Sequence, residues 1–160
     1  MGQAHRGPKT ARAGKYYVAA EINRRGANAV TLTDDTRNTE VRAWDDADTR
    51  QINIRVRSRR SGMWQTTIGK GRPSEPVGNE TSFWIFVDLS AHTPEFYIVP
   101  EWWIRNDIYS AHQEYLEKHG GVRPRTHESQ HHGIALDRIQ QWKDRWDILG
   151  VFPRDDGSDA

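Results

Sequence analysis

The sequence contains no cysteine among its 160 residues. This absence excludes disulfide bridges, zinc sites built on thiolates and cysteine nucleophiles, and it is typical of proteins that fold in a reducing compartment. Long hydrophobic runs are missing as well, since none is longer than the five residues of FWIFV at 83–87. A membrane-spanning helix needs about 20 apolar residues. We therefore expect a cytoplasmic protein that has no membrane partner.

Several catalytic signatures are also missing. The sequence has no Gly-rich phosphate loop, no nucleophile elbow and no dinucleotide-binding fingerprint. The segment HESQHHG offers His127, His131 and His132, but no thiol or paired acidic motif completes a metal site there. Such His-rich segments are typical of surface loops.

Charge is abundant and segregated, although the formal net charge is only +1. Residues 50–72 hold seven Lys or Arg and no acidic residue, and residues 1–26 hold six against one. Residues 73–117 hold eight acidic residues against a single Arg. Segregated positive charge is typical of proteins that bind phosphate backbones. The neighbouring acidic segment also allows a homo-oligomer held by complementary basic and acidic patches.

The segment QINIRVRSRR (51–60) alternates between apolar and polar residues from Gln51 to Arg57. A β-strand directs every second side chain to the same face, so this pattern predicts an aliphatic core face and an arginine face. Like charges repel each other, and the arginine row therefore needs an anionic partner. The aliphatic residues are Ile52, Ile54 and Val56, and the arginines are Arg55, Arg57 and Arg59.

The remaining pattern predicts an α/β order of elements. A helix is expected from about Thr10 to Gly26, and a second one follows Pro100. The strands are expected at 28–33, 39–44, 50–58, 63–68, 83–89 and 95–100. The segment 69–82, which contains two prolines and three glycines, predicts a mobile surface loop. A third helix is expected over IALDRIQQWKDRWDILG (134–150).

Several phrases in these elements resemble small uncharacterised bacterial members of the PD-(D/E)xK nuclease-like superfamily over most of residues 14–151. The phrases are YYVAAEINRRGANAVTLT, NTEVRAW, INIRVRS, FWIFVDLS, PEFYIVP and DRWDILG. The resemblance implies a restriction-endonuclease-like α/β fold, in which a mixed β-sheet is flanked by an N-terminal helix and C-terminal helices. The domain is expected at 13–152, between a flexible basic arm (1–12) and a disordered tail (153–160).

The resemblance also implies a site on two adjacent strands, where carboxylates hold Mg²⁺ or Mn²⁺ beside a lysine. The helix glutamate of the family falls on Glu21, the strand acid on Glu40, and the (D/E/Q)-x-K pair on Arg55 and Arg57. A guanidinium cannot ligate a metal and cannot act as a base. We therefore expect a degenerate site, in which the arginines replace the metal and pair with the two glutamates or with a phosphate.

Several interpretations of function stay open. The first is a nuclease-fold protein without a cofactor that binds nucleic acid, DNA rather than RNA, through its basic strand face. The second is an active endonuclease in which Glu21 and Glu40 hold Mg²⁺ or Mn²⁺; a shifted register would bring in Asp34, Asp35, Asp45 and Asp46. The third is an interaction or assembly module, and an ion-paired strand face without any ligand is the fourth.

The residues assigned to nucleic-acid binding are Lys15, Arg24, Arg55, Arg57, Arg59, Arg60 and Gln65, with Trp64 at the edge of the expected DNA cleft.

Overall fold

The computed structural model describes residues 3–33, 39–120 and 130–154, and for residues 3–6 it describes the backbone alone. Each of the six strands predicted from the sequence is present. The helices are α1 (Gln3–Arg24), α2 (Glu101–Lys118) and the short α3 (Leu136–Ile139). The strands are β1 (Asn28–Thr31), β2 (Val41–Trp44), β3 (Gln51–Arg59), β4 (Trp64–Thr67), β5 (Ser82–Asp88), β6 (Glu95–Pro100) and β7 (His131–Ile134).

Five strands form one mixed sheet in the order β1-β2-β3-β5-β6. The pair of β3 and β5 is parallel, and the other neighbouring pairs are antiparallel. Strands β4 and β7 form a separate antiparallel pair, in which Trp64 lies opposite Ile134. A mixed sheet flanked by an N-terminal helix and C-terminal helices is the expected α/β architecture, which is confirmed.

One face of the sheet packs against α1 and is called the α1 face. The predicted aliphatic residues of β3 lie on this face and are buried against Val18 and Ile22 of the helix. Burying one such aliphatic side chain contributes about 1.5–3 kcal/mol relative to leaving it exposed. The alternation of β3 therefore fixes which face receives the arginines.

The opposite face packs against α2 and is called the α2 face. Its core contains Trp64, Trp84 and Tyr97 together with Ile104 and Ile108 of α2. The indole N–H of Trp64 donates to the carbonyl of Val87 at 3.0 Å, so this tryptophan is a structural residue. Its predicted place at the edge of a DNA cleft is therefore wrong, because a fully buried ring has no free face for a base.

The C-terminal segment does not form the single helix predicted over 134–150. After α3 come two 3-10 turns, Gln140–Trp142 and Trp146–Leu149. Between the turns, Asp144 has a φ of 55° and its N–H bonds the carbonyl of Phe96 at the edge of β6. The chain thus passes around the sheet edge, and Ile139 and Trp146 are buried in different cores. The apolar residues of this segment belong to two different cores. Their spacing in the sequence nevertheless matches that of one amphipathic helix, which is why a single helix was predicted.

Helix α1 begins at Gln3 rather than near Thr10, so residues 3–12 form its first turns. A tertiary contact explains why these first turns are helical. Thr10 is buried, and its hydroxyl accepts a hydrogen bond from Arg60 at 2.8 Å. The helix ends as predicted near Gly26, which has a φ of 99°. Of the predicted tail, residues 155–160 lie outside the described part of the chain.

The segment 69–82 also differs from its prediction as a mobile loop, because it is hydrogen-bonded along α2. The Ser74 N–H donates to Asn106 Oδ1 at 2.8 Å, and the Arg72 N–H donates to the carbonyl of Arg105 at 3.1 Å. At Gly71, an added Cβ would lie 2.8 Å from the backbone nitrogen of Tyr109. The glycine thus permits the close approach that brings the 69–82 segment onto the helix. Among the described residues, none of the helices has the length and apolar character needed to cross a membrane.

Candidate functional site

The side chain of Glu40 occupies the edge of β3 beyond the end of β2. Strand β2 pairs with β3 only as far as Ile54, so the next outward N–H on this edge is that of Val56. This N–H donates to Glu40 Oε2 at 3.1 Å, and Nη1 of Arg57 lies 3.2 Å from Oε1. Both carboxylate oxygens therefore have a partner within the chain. The expected pairing of Glu40 with the arginine strand is confirmed for Arg57.

Arg55 points to the α2 face and is buried, with 5 % of its surface exposed. Its guanidinium carbon lies 5.0 Å from the ring centroid of Trp84, and that of Arg57 lies 5.4 Å from the same ring. Nε of Arg55 has no hydrogen-bond partner, and no described residue forms an ion pair with this side chain. Stacking on an indole stabilises a cation, but it leaves the N–H donors of a guanidinium unused.

Further charged groups surround Arg55. Burial lowers the pKa of Arg55, as does the neighbouring charge of Arg57, while the carboxylates of Glu40 and Glu101 act in the opposite direction. Burial and then the charges of Arg55, Arg57 and Arg105 lower the pKa of Lys70. These mutual effects show that the groups share one electrostatic site, called here the Arg55 cluster. Its members are Arg55, Arg57, Lys70, Arg105, Glu40 and Glu101.

The Arg55 cluster contains four cations and two carboxylates. Two internal pairs are formed: Arg57 with Glu40, and Arg105 with Glu101 at 2.8 Å. Nε of Arg55 is buried without an acceptor, which is unfavourable unless an anion joins it. Sequence reasoning found Arg55 and Arg57 but missed Arg105 and Glu101, because the fold of α2 over the sheet brings them there.

Helix α1 lines a cavity of about 260 Å³ on the other side of Glu40 and Arg57. The helix contributes Arg12 and Lys15 to its wall. Nζ of Lys15 donates to the carbonyl of Leu32 at 2.9 Å, which holds this ammonium group beside the cavity. The basic surface predicted from the sequence thus continues from β3 to α1 at this position.

Glu21 does not join the strand arginines, and the expected pairing with Arg55 or Arg57 is wrong. Its carboxylate accepts hydrogen bonds from Arg24 at 2.5 Å and from Arg25 at 2.8 Å, in the last turns of α1. The hydrogen bond from Arg24 holds the pKa of Glu21 below its usual range despite partial burial. Residues three and four positions apart are neighbours on a helix surface, which explains these local pairs.

Two other residues assigned to nucleic-acid binding are engaged within the fold. Arg59 Nη2 lies 2.8 Å from Asp88 Oδ2, and the Arg59 guanidinium lies 3.8 Å from the ring centroid of Trp64. Arg24 is exposed in the last turn of α1 and pairs with Glu21. We therefore leave both out of the candidate interface.

Two residues of the predicted set lie beside the first turns of α1. The exposed Arg60 and Gln65 line one cavity of about 430 Å³ together with Thr10 and Met63. Nε of Arg60 is bonded to the Thr10 hydroxyl. Arg60 and Gln65 thus lie on a surface continuous in sequence with β3, and their role in binding stays a prediction.

The described residues do not fit a metal site of the kind that the family resemblance implies. Among residues 3–33, 39–120 and 130–154, there is no group of three His, Cys, Asp or Glu side chains that could hold a metal ion. Glu40 is bonded to Arg57 and Val56, and Glu21 to other arginines. Asp45 accepts bonds from the backbone of Thr49 and Arg50 in the turn before β3, at the far end of the strand from Arg57. Asp46 bonds Asn28, and Asp34 and Asp35 lie outside the described residues.

The histidine segment contributes a strand that the sequence did not predict. His131 and His132 belong to β7 and pair with Thr67 and Thr66 of β4, whereas His127 lies outside the described residues. Nη2 of Arg138 lies 3.0 Å from Nε2 of His132, and the same guanidinium pairs with Asp107 at 2.6 Å. The pair of β4 and β7 is thus tied to α2.

Comparison with known proteins gives similarity in structure at low sequence identity. A bacterial homing endonuclease, I-Ssp6803I, matches with a TM-score of 0.49 and 12 % identity over 88 % of this chain and 89 % of that one. The Holliday junction resolvase Hjc of the archaeal hyperthermophile Archaeoglobus fulgidus matches with a TM-score of 0.49 and 10 % identity over 90 % of this chain and 98 % of that one. No protein-family model and no curated protein matches the sequence.

Cations of the same chain pair with half of the acidic residues in segment 73–117. Among the described residues, four of its eight carboxylates form ion pairs. The pairs are Asp88 with Arg59, Glu95 with Lys143, Glu101 with Arg105, and Asp107 with Arg138. These internal pairs remove much of the charge that self-association would use, and the homo-oligomer stays a prediction.

Proposed function

We propose that this protein binds DNA through the Arg55 cluster and the adjoining basic wall of α1, and that it does so without metal-dependent cleavage at this site. The observation that carries the proposal is the buried side chain of Arg55, whose Nε has no hydrogen-bond partner among the described residues. A buried polar group without a partner is unfavourable by about 1–3 kcal/mol. A phosphate oxygen is an acceptor that matches the donors of a guanidinium in geometry and in charge.

The surrounding charges extend this single contact into a binding surface. Arg57 and Lys70 share the electrostatic site of Arg55, and Arg12 and Lys15 line the cavity beside Arg57. Cations on both sides of Arg57 allow successive phosphates of a strand to be bound. A cytoplasmic setting, where nucleic acid is present, belongs to the same proposal.

Cleavage is a separate question, and the chemistry of the side chains argues against it at this position. Metal-assisted hydrolysis of a phosphodiester requires carboxylates that converge on a cation and lower the pKa of water. Glu40 faces Arg57 instead, and a guanidinium in place of a ligand repels a divalent ion. The arginines can bind the phosphate electrostatically but supply no base.

The experiment is a titration of labelled duplex DNA, single-stranded DNA and RNA by fluorescence anisotropy at several salt concentrations. We expect binding at low salt, with log K falling by about 0.9 per phosphate contact for each unit of log salt on duplex DNA. Arg57→Gln and Lys70→Gln should each flatten the slope by about one contact. Arg145→Gln is the matched control, because Arg145 is exposed and pairs with Asp147 in the C-terminal segment.

The same preparation, incubated with Mg²⁺ or Mn²⁺, tests for cleavage of supercoiled and single-stranded DNA. We expect the DNA to stay intact. Absence of binding at low salt would contradict the binding proposal. Tighter binding to RNA than to DNA would identify RNA as the ligand. Robust metal-dependent cleavage that Glu40→Ala abolishes would show an active endonuclease.

A further inference from the structure

The side of α1 that faces the sheet extends beyond the part of the helix that the sheet covers. Ala11 lies three and seven positions before Gly14 and Val18, which are both buried. Residues at these spacings share one face of a helix, yet Ala11 is exposed. The first turns of α1 therefore lie over open space. Ala11 lines both cavities there: one of about 260 Å³ beside Arg57, called the Arg57 cavity, and one of about 430 Å³ beside Arg60, called the Arg60 cavity.

The cations in the walls of the two cavities are available to an anion. Arg12 and Arg60 are exposed, and neither forms an ion pair within the described part of the chain. Nε of Arg60 donates to the Thr10 hydroxyl at 2.8 Å, which holds the guanidinium in place while its Nη groups stay open to a ligand. None of the described wall residues of the Arg60 cavity is acidic, and Glu40 in the other wall is paired with Arg57. The charges of both cavities therefore suit phosphates of one strand.

The Arg60 cavity also offers surfaces that a phosphate does not use. Met63 lies over Gly133 of β7, where an added Cβ would be 2.7 Å from the methionine Cε, and its side chain remains 51 % exposed. A thioether makes favourable contacts with aromatic rings. The exposed Gln65 lies in the same wall, and its amide can donate to and accept from the edge of a base. One wall thus combines a contact for the face of a base with a contact for its edge.

The size of the Arg60 cavity selects an unpaired base. Its volume of about 430 Å³ is that of a site for a small ligand, which ranges over about 300–1,000 Å³. A paired base in a duplex presents only its edge in a groove, and its face is covered by the neighbouring bases. The face of a base in a single strand can leave the stack and contact a protein side chain. Contact with Met63 therefore requires a base that is not paired.

We propose that this surface binds a single-stranded segment of DNA and places one unpaired base in the Arg60 cavity, against Met63 and Gln65. The strand continues past Ala11 into the Arg57 cavity. Its phosphates contact Arg60 on one side of Ala11 and Arg12 on the other. This inference rests on the proposed function and names the form of the nucleic acid that the site binds.

The test is a competition titration at constant salt, followed by the anisotropy of a labelled single strand. The competitors have the same length: a single strand, the fully paired duplex of its sequence, and a strand of abasic nucleotides, which keeps every phosphate and lacks the bases. We expect the intact single strand to bind at least about fivefold tighter than either of the others, the effect of one base contact. Equal binding of the duplex or of the abasic strand would overturn the inference while DNA binding stands. No binding of any DNA would overturn the proposed function as well.

Substitutions in the Arg60 cavity locate the base. Met63→Ala and Gln65→Ala should each reduce the preference for the intact strand over the abasic strand and leave binding of the abasic strand unchanged. Val77→Ala is the matched control, because Val77 is 49 % exposed and lines a different cavity. A preference that survives in both Met63→Ala and Gln65→Ala would overturn the assignment of the base to this cavity.

A substitution at Ala11 tests the path of the strand. Ala11→Leu should weaken binding of the intact and the abasic strand alike, because the larger side chain obstructs the passage between the two cavities. Ala20→Leu makes the same change at another exposed position of α1 and should have no effect. Equal affinities of Ala11→Leu and Ala20→Leu would overturn the proposed path. Circular dichroism checks that all variants fold.

Discussion

Glu40 and Arg57 are joined at the rim of the sheet, with 3.2 Å between Oε1 of the glutamate and Nη1 of the arginine. The other oxygen of Glu40 accepts the N–H of Val56 and so extends the edge of β3 by one hydrogen bond. The carboxylate therefore has two separable effects. One is structural and needs only an oxygen acceptor, and the other is electrostatic and needs the charge.

Glu40→Gln should strengthen DNA binding while leaving the fold intact. The amide oxygen can still accept from Val56, but the negative charge that opposes an incoming phosphate is gone. A unit charge at such a distance changes affinity by about threefold or more. Loss of the partly exposed ion pair should lower the free energy of unfolding by at most about 1 kcal/mol. The measurements are anisotropy titration and urea unfolding.

Glu21→Gln is the matched control for this prediction. It changes the net charge by the same amount, but Glu21 pairs with Arg24 and Arg25 instead of the strand arginines. We expect a much smaller gain in affinity. An equal gain in both variants would show that net charge, and not the position of Glu40, controls binding.

Asp88→Asn should destabilise the protein in a pH-dependent way. Side chains of Arg59 and Asp88 are only 14 % and 10 % exposed. Burial alone raises the pKa of Asp88, but hydrogen bonds from Ser90 and Arg59 outweigh it, so the pKa lies below the ordinary 3.8. A lowered carboxyl pKa contributes stability that is fully present above the unfolded pKa and is lost as pH falls through the folded one.

At pH 7 we expect Asp88→Asn to lower the free energy of unfolding by about 3 kcal/mol, because it leaves a mostly buried Arg59 without its partner. The difference from the wild type should shrink as the pH falls below about 4. Urea unfolding at a series of pH values measures both effects. Asp147→Asn, in an exposed pair with Arg145, should cost less than about 1 kcal/mol. If the stability difference between Asp88→Asn and the wild type does not change with pH, Asp88 does not have the lowered pKa on which this prediction rests.

Gly14→Ala should destabilise the protein, although alanine is the better helix former by about 1 kcal/mol. A Cβ at this position would lie 1.7 Å from Oγ of Ser58 and 2.9 Å from its Cβ, so α1 would have to move away from β3. Overpacking of this kind costs about 1–3 kcal/mol. Thermal unfolding measures the loss.

Gly7→Ala is the control within the same helix, because an added Cβ there meets no atom within 4 Å. It should stabilise the protein by up to about 1 kcal/mol. The double variant Gly14→Ala with Ser58→Gly should recover much of the loss, since it removes the atoms that clash. Failure of this recovery would show that the cost comes from elsewhere in α1.

Local alternation made most of the sheet predictable. The apolar residues of β3 had to share one face, and the period of two alone placed Arg55 and Arg57 together on the other. The partners of these arginines were not predictable in the same way, because Trp84 comes from β5 and Arg105 from α2. Glu21 shows the opposite case. Its partners Arg24 and Arg25 are close to it in the sequence, and spacing along a helix could have indicated them.

The passage of the C-terminal chain around β6 has a consequence for folding during synthesis. Trp146 and Leu149 complete the core between α1 and the sheet, although α1 lies at the other end of the sequence. Arg50 in turn donates to the carbonyl of Leu149, 99 residues away. Closing such long loops is entropically unfavourable until the last contacts form. Helix α1 therefore leaves the ribosome before the rest of this fold but becomes fully enclosed only when residues near 150 have followed it.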